Sequence, residues 1–239
     1  MASGLEPRIE ASIRRHDLIS PGAEVVCLVS GGPDSTCLWH VLGALGYRVS
    51  AVHVNHGLRG EESDEDARFC ADVLEAHVID ACNSLLQGET ESELRDVRYR
   101  LTEGRGLRAT GHTASDQVET ILYRLVSSGA AKGIKVRRED GVVRPLLSVW
   151  REETEVYCRE HGLDFRVDSS NPDTKRGLIR EEILPRLRRL HPAADENLLA
   201  LADARPRSSF RRPRGRSRPT SGAMSAPCGS TRRSASKAV

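Results

Sequence analysis

The chain has 239 residues, 38% hydrophobic, 4% aromatic and 29% charged, enough for one large domain or a domain with an appendage. No apolar stretch approaches the roughly 18 residues of a membrane helix, which excludes a helical span. The net charge of +2 hides an asymmetry: from Arg205 onward there are nine Arg and one Lys with no acid, whereas residues 1–204 carry 26 basic against 34 acidic residues, a net −8.

Residues 1–21 read as a lead-in to which no element is assigned. They open Met-Ala-Ser-Gly-Leu-Glu, without the basic start and apolar core of a secretory leader. The apolar run Val25–Val29 predicts a buried strand. It ends in Ser30-Gly31-Gly32-Pro33-Asp34-Ser35, with a helix expected from about Thr36. Glycines let the backbone turn tightly and bring N–H groups to an anion, and the helix points its positive end at the same place. Ser30 and Ser35 can donate to phosphate oxygens, and Asp34 can hold Mg²⁺. No Gly-Lys-Ser/Thr follows and no Gly-x-Gly-x-x-Gly is present, so this is neither a Walker loop nor a dinucleotide loop. An ordinary Gly-Gly turn is the alternative, but it requires none of the flanking Ser and Asp.

Further strands are expected at 48–54, 77–80, 107–112 and 142–147, and helices at 36–45, 61–76, 91–104, 114–127 and 150–161. In the second helix Ala67, Cys70, Ala71 and Leu74 keep the spacing of a buried stripe. Gly46, Gly106 and Gly162 sit where helices should stop. Strand alternating with helix predicts an α/β fold, a Rossmann-like parallel sheet with helices on both faces. Ligands of such sheets bind at the carboxyl ends of strands, here 30–35, 55–60 and 111–119. Residues 22–162 are read as this domain and 163–203 as a helical segment completing it. In that segment Leu178, Ile179, Ile183, Leu184, Leu187 and Leu190 recur at helical spacing. The Arg-rich remainder, 204–239, has too little apolar surface to offset its ordering entropy, and disorder is expected there. Six scattered cysteines without a Cys-x-x-Cys pair suggest free thiols in a reducing cytoplasm.

Two loops carry further chemistry. In His53-Val54-Asn55-His56-Gly57-Leu58-Arg59, a His-x-x-His could be half a zinc site, but no further ligands come at suitable spacing. A turn that buries His53 and exposes His56 is the structural alternative. The functional reading turns Asn55, His56 and Arg59 toward a nucleotide. In Gly111-His112-Thr113-Ala114-Ser115-Asp116-Gln117-Val118-Glu119-Thr120, Thr113 and Asp116 fit a capping box. Glu119 lies on the same helical face as Asp116, and two carboxylates there can hold an ammonium group or take its proton.

Ser30–Ser35 resembles the PP-loop of the ATP pyrophosphatases. The ordered set of this loop, His53–Glu62, Arg95-Asp96-Val97-Arg98-Tyr99, Gly111–Thr120, Arg144-Pro145-Leu146-Leu147 and Asp168-Ser169-Ser170-Asn171 resembles the tRNA(Ile)-lysidine synthetase family over residues 22–203. Departures are Ser115, where the family usually has Asp, and Arg176-Gly177-Leu178-Ile179-Arg180, where the family runs Arg-Asn-Arg-Ile-Arg. Many members also continue into further C-terminal domains. The resemblance implies a ligase that uses ATP and Mg²⁺ to join free L-lysine to the wobble cytidine of tRNA(Ile), through an adenylated base, with release of AMP and pyrophosphate. It implies catalytic roles for Asp34, Asp116, Glu119, Arg95 and Arg98. ATP contacts would come from Ser30, Gly31, Gly32, Pro33, Asp34, Ser35, His56 and His112, RNA contacts from Arg176 and Arg180, and Mg²⁺ binding from Asp34. A cytoplasmic enzyme without membrane attachment is expected, and a homo-oligomer is left open. The rivals are a tRNA thiolase of the same superfamily, disfavoured by the absence of paired cysteines, and a non-catalytic nucleotide- or RNA-binding module.

Overall fold

In the computed structural model, which describes residues 4–81, 91–167 and 174–203, the strands are β1 (Glu24–Leu28), β2 (Arg48–Asn55), β3 (His77–Asp80), β4 (Arg108–Thr110) and β5 (Val142–Val143). They form one sheet in the order β3-β2-β1-β4-β5, every neighbouring pair parallel. Central β1 pairs Leu28 with Val52 on one side and Thr110 on the other. The winding direction therefore reverses between β1 and β4, and the crevice beyond their carboxyl ends is where such sheets bind ligands. β5 is shorter than expected. Pro145 has no N–H to give a ladder, and the Arg144 N–H goes to the Val136 carbonyl at 2.9 Å.

The helices are α1 (Leu5–Arg15), α2 (Pro33–Ala44), α3 (Glu61–Leu74), α4 (Glu91–Leu101), α5 (Ala114–Ser128) and α6 (Arg151–Glu160). After them come α7 (Lys175–Leu178), a π-helical turn (Ile179–Ile183), α8 (Leu184–Leu190) and α9 (Ala194–Asp203). The first of these lies in the stretch read from sequence as a lead-in: α1 drives Ile9 and Ile13 fully into the core. α2 starts earlier than expected, because Pro33 suits the first helical position, where no N–H partner is needed. It buries Cys37, Leu38, Val41 and Leu42 and packs against α6. The buried stripe of α3 runs through Ser63, Asp66, Ala67, Cys70 and Leu74. Ala71, counted in that stripe from sequence, is exposed.

The C-terminal helices lie on α5, where Val118 and Leu122 pack against Ile179 and Leu184. Leu178 and Leu190 were read as part of this apolar set, but they are 46% and 82% exposed. Pro185 accounts for part of the shift. It cannot donate one turn back, and the helix widens to the π register just before it. Gly46 and Gly162 hold positive φ just past α2 and α6, where helix stops were expected, whereas Gly106, also at positive φ, lies five residues beyond the end of α4 at Leu101. Cys27, Cys37, Cys70 and Cys158 are free and buried. Among the described residues no helix is long and apolar enough to cross a membrane. Asp168–Asn171, the Arg-rich segment 204–239 with its expected disorder, and Cys82 and Cys228 lie outside the described residues.

Candidate functional site

The site begins with the way the strand-end loops crowd one another. Gly31 turns at φ +83°, and a Cβ there would meet the Phe69 ring at 3.1 Å. Gly111, at the end of β4, presses on the first turn of α2: a Cβ would lie 2.8 Å from the Asp34 carbonyl oxygen. Glycine at both positions lets the two loops nest. Inside the first loop the Ser35 hydroxyl donates to the Gly32 carbonyl (3.0 Å) and accepts from the Ser30 amide (3.1 Å), and the two serine hydroxyls are 3.3 Å apart. The Arg166 amide donates to the Gly31 carbonyl at 2.9 Å, closing the loop from outside.

A cavity of about 380 Å³ opens at this point, lined by Ser30, Asp34, Ser35, His56, Leu58, Arg95, Arg98, Gly111, His112, Asp116 and Arg176 among others. The structure thus brings together residues of all the predicted loops. His53 is buried, with Nδ1 2.9 Å from the Val29 carbonyl. His56 stands at the cavity with neither ring nitrogen hydrogen-bonded within the protein. Burial, followed by the charge of Arg98, pushes it down to about 4. His112 is also held below the usual imidazole range by burial, with Arg144, Arg176 and Arg98 adding to the effect against Asp116. Its Nδ1 lies 2.9 Å from the Thr110 hydroxyl. Both rings are therefore neutral at pH 7.

Two residues of the second loop are not at the cavity. Asn55 donates to Asp64 (3.0 Å) and accepts from the Gly57 amide (2.9 Å), so its amide shapes the turn. Arg59 pairs with Glu62 at 2.9 Å and with Asp66, because α3 presents an acidic first turn to it.

The carboxylates are already engaged. Asp116 caps α5, accepting from the Thr113 amide (2.8 Å) and hydroxyl (3.1 Å), so the predicted capping box exists. Its other oxygen takes Arg151 at 3.0 Å. Burial alone would raise the Asp116 carboxyl, but Arg151 and its other partners bring it below the usual range. Glu119 is 1% exposed and lies beneath the cavity rather than on its wall. Arg180 holds it through two hydrogen bonds, 2.8 and 3.2 Å. Arg180, expected from sequence to contact RNA, has its guanidinium against this buried acid in the free chain. Asp34 accepts from Arg151 (3.3 Å) and from the Thr154 hydroxyl, and burial pushes it up to about 6.

Arg151, to which the sequence reading gave no role, is thus the hub, with a third carboxylate contact to Glu119 at 3.4 Å. Thr154 and Arg166 were missed as well. One signal was available: Arg151 opens a helix, the end that disfavours a cation, so acids must wait there.

A second cavity of about 500 Å³ shares Arg95, His112 and Arg176 with the first and adds Arg124, Lys132, Lys135, Arg138 and Arg144. Arg144 is 4% exposed and fixed by the Lys135 carbonyl and the Tyr99 hydroxyl. Its wall at Ile134 is clamped by Gln117, which donates to the Ile134 carbonyl at 3.2 Å and accepts the Ile134 amide.

A parallel α/β sheet with a glycine-bearing anion loop at its switch point, two acids and a set of arginines defines a nucleotide-binding domain. Residues 5–187 match the PP-loop domain family, and the chain belongs to it. The chain is 40% identical to a tRNA(Ile)-lysidine synthase of Symbiobacterium thermophilum, covering 82% of this chain and 46% of that protein. It is 40% identical to the Geobacillus kaustophilus protein of that name (79% and 47%) and 34% identical to that of Dehalococcoides mccartyi (83% and 49%). The chain spans about half the length of the curated relatives it matches. Among solved structures, the U34-tRNA thiolase NcsA of Methanococcus maripaludis shares the fold, with a TM-score of 0.65 at 16% identity over 83% of this chain and 76% of that one.

Proposed function

We propose that this chain carries out ATP-dependent joining of free L-lysine to the wobble cytidine of tRNA(Ile) with a CAU anticodon, releasing AMP and pyrophosphate. The observation that carries the reading is the convergence on one cavity of the PP-loop serines, Asp34, Asp116, His56, His112 and three arginines. The names of the relatives give the reaction class.

In this reading the amides at Gly31, Gly32 and the first turn of α2, with Ser30 and Ser35, cradle the phosphates. Arg95, Arg98 and Arg176 neutralise charge that builds as the α-phosphorus is attacked. His56 and His112, neutral, add no competing charge and accept or donate one hydrogen bond each. Asp116 receives the lysine side chain. A lysine amine has a reference pKa near 10.4, so only about one in a thousand is neutral at pH 7.4, and a carboxylate that holds the ammonium and takes its proton speeds attack. Glu119 and Arg180 act from below, fixing the acid-bearing face of α5. Asp34 and Asp116 line the same cavity, and two carboxylates with substrate phosphates suit Mg²⁺. Asp34, held near 6 by burial, is a carboxylate that a cation would ionise. Bound there, Mg²⁺ would screen the phosphates.

The thiolase reading finds no support in the described cysteines. Burial pushes Cys27 and Cys70 up to about 12 and Cys158 up to about 11, and raises Cys37 as well, which leaves inert thiols.

The test incubates the chain with ATP, lysine and tRNA(Ile). The expected products are AMP, pyrophosphate and lysine covalently bound to the tRNA, and Asp34→Ala should lower the rate about 100-fold or more. ADP and phosphate as products, or nucleotide binding with no turnover, would overturn the reading, the latter in favour of a binding module.

A further inference from the structure

Arg151 lies outside every motif singled out in the sequence, yet one guanidinium reaches three carboxylates on two helices: Asp34 at 3.3 Å, Asp116 at 3.0 Å and Glu119 at 3.4 Å. Its side chain is 22% exposed, and those of the three acids 20%, 13% and 1%. Three acids this close and this dry repel one another strongly unless a cation sits among them. The local sequence builds a seat for that cation. The Arg151 amide donates to the Ser115 hydroxyl at 3.3 Å, and the Ala114 amide donates to the Val149 carbonyl at 2.7 Å. Thr154, one turn on, donates to Asp34. Ser115, a departure from the family pattern, is thus one of the groups that fix where α6 begins.

Charge counting gives the arrangement a meaning. Asp34, Asp116 and Glu119 bring three negative charges, and Arg151 and Arg180 bring two positive ones. Among these five side chains one negative charge is left over, and Asp116 opens onto the cavity that Arg176 also lines. Asp116 is thus an acid of the cluster that an ammonium group can reach. Without Arg151 the excess charge doubles and the acids separate.

We propose that Arg151 is a positioning residue for amine selection: it ties α2 to α5 through Asp34, Asp116 and Glu119 and so fixes Asp116 where it faces the cavity and can meet an ammonium group. The inference rests on the lysine-ligase reading. Arg151 touches the acids and not the reacting phosphorus. Its loss should therefore fall on use of the amine and spare nucleotide binding. A guanidinium serves all three acids through its fork, whereas a lysine in its place keeps the charge but reaches fewer of them.

The experiment uses the full chain and its Arg151→Gln and Arg151→Lys variants. Melting temperature, ATP affinity by equilibrium binding, lysine KM and kcat in tRNA modification, and lysine binding by calorimetry with ATP present are measured on each. The expected result for Arg151→Gln is a lysine KM raised about tenfold or more with the ATP Kd changed less than threefold. Arg151→Lys should recover part of the lysine KM. Equal changes in lysine KM and ATP Kd would make Arg151 a general structural support and overturn the inference, as would an unchanged lysine KM in a folded Arg151→Gln. If Arg151→Gln does not fold, Arg151→Lys decides by the same KM-against-Kd comparison. If the wild-type chain binds lysine but leaves tRNA unmodified, the ligase reading fails while calorimetry on the variants still tests Arg151. If the wild type binds no lysine, both fall.

Discussion

His56 and Asp34 show how burial sets opposite proton affinities across one cavity. His56 is pushed down to about 4 from its ordinary 6.5, so the unfolded chain binds this proton more tightly. Its contribution to stability is present above pH 6.5 and is lost as pH falls toward 4. Asp34 runs the other way: raised from 3.8 to about 6, it binds its proton more tightly when folded, and its contribution grows as pH falls through that window. His56 and Asp34 nearly offset each other, but burial also pushes His112 down to about 4, so the melting temperature of the nucleotide-free chain should fall between pH 6.5 and 4. His56→Gln should make that fall shallower, and Asp34→Asn should make it steeper. Melting curves across a pH series check this, and parallel profiles for all three proteins would refute the assignment.

Among elements, the contact that matters most is that of α5 with the helices beyond it. The π turn holds Arg180 so that it meets Glu119, the most deeply buried acid of the site. Removing one partner of a buried pair typically costs about 3–5 kcal/mol. Because Arg151 still reaches Glu119, Arg180→Ala should cost less, about 2–3 kcal/mol in urea denaturation. Arg180→Met combined with Glu119→Gln should restore part of it. A variant of undiminished stability that has lost only RNA affinity would instead support the RNA-contact role expected from sequence. The pairing of Arg180 with Glu119 was not foreseen from sequence, for a physical reason. Glycine turns, apolar runs and helix stops are local, so β1 to β4, the PP-loop and the capping box were legible. Which acid an arginine finds depends on packing: Arg59 turned to α3, Arg180 turned to Glu119, and Arg151 joined loops far apart in the chain. α1 escaped notice because two isoleucines one turn apart, after a Gly N-cap without a side-chain bond, make a weak periodic signal. Ala71 and Leu190 show the converse, apolar residues at the right spacing that face solvent.

At the scale of the whole molecule, the proposed function makes the charge division a determinant of encounters with RNA. Residues 1–204 sum to −8 and the remainder to +10. Deleting residues 204–239 should weaken binding to tRNA(Ile) and to an unrelated tRNA alike at low salt. The slope of log affinity against log salt should fall by up to about 7, near 0.7 for each lost phosphate contact on single-stranded RNA. The gap between full and shortened chains should close as salt rises. Filter binding across a salt series measures it. If the shortened chain loses discrimination between the two RNAs, the basic segment reads sequence or shape and does more than attract.

The sheet order also dictates when the site can exist during synthesis. β2 emerges soon after β1 and can pair with one of its edges, and β3 then adds to β2, but Val26 must wait for Arg108 on the other edge. A nascent chain stalled before β4 would carry an open central edge, the kind that recruits other strands. Asp34 is translated early and Arg151 late, so the acids of the PP-loop helix and α5 spend the interval without their common counter-ion. Closure of the crevice between β1 and β4 is thus a late event on the ribosome, and chains cut short of α6 are expected to present the anion loop in an unfinished, aggregation-prone form.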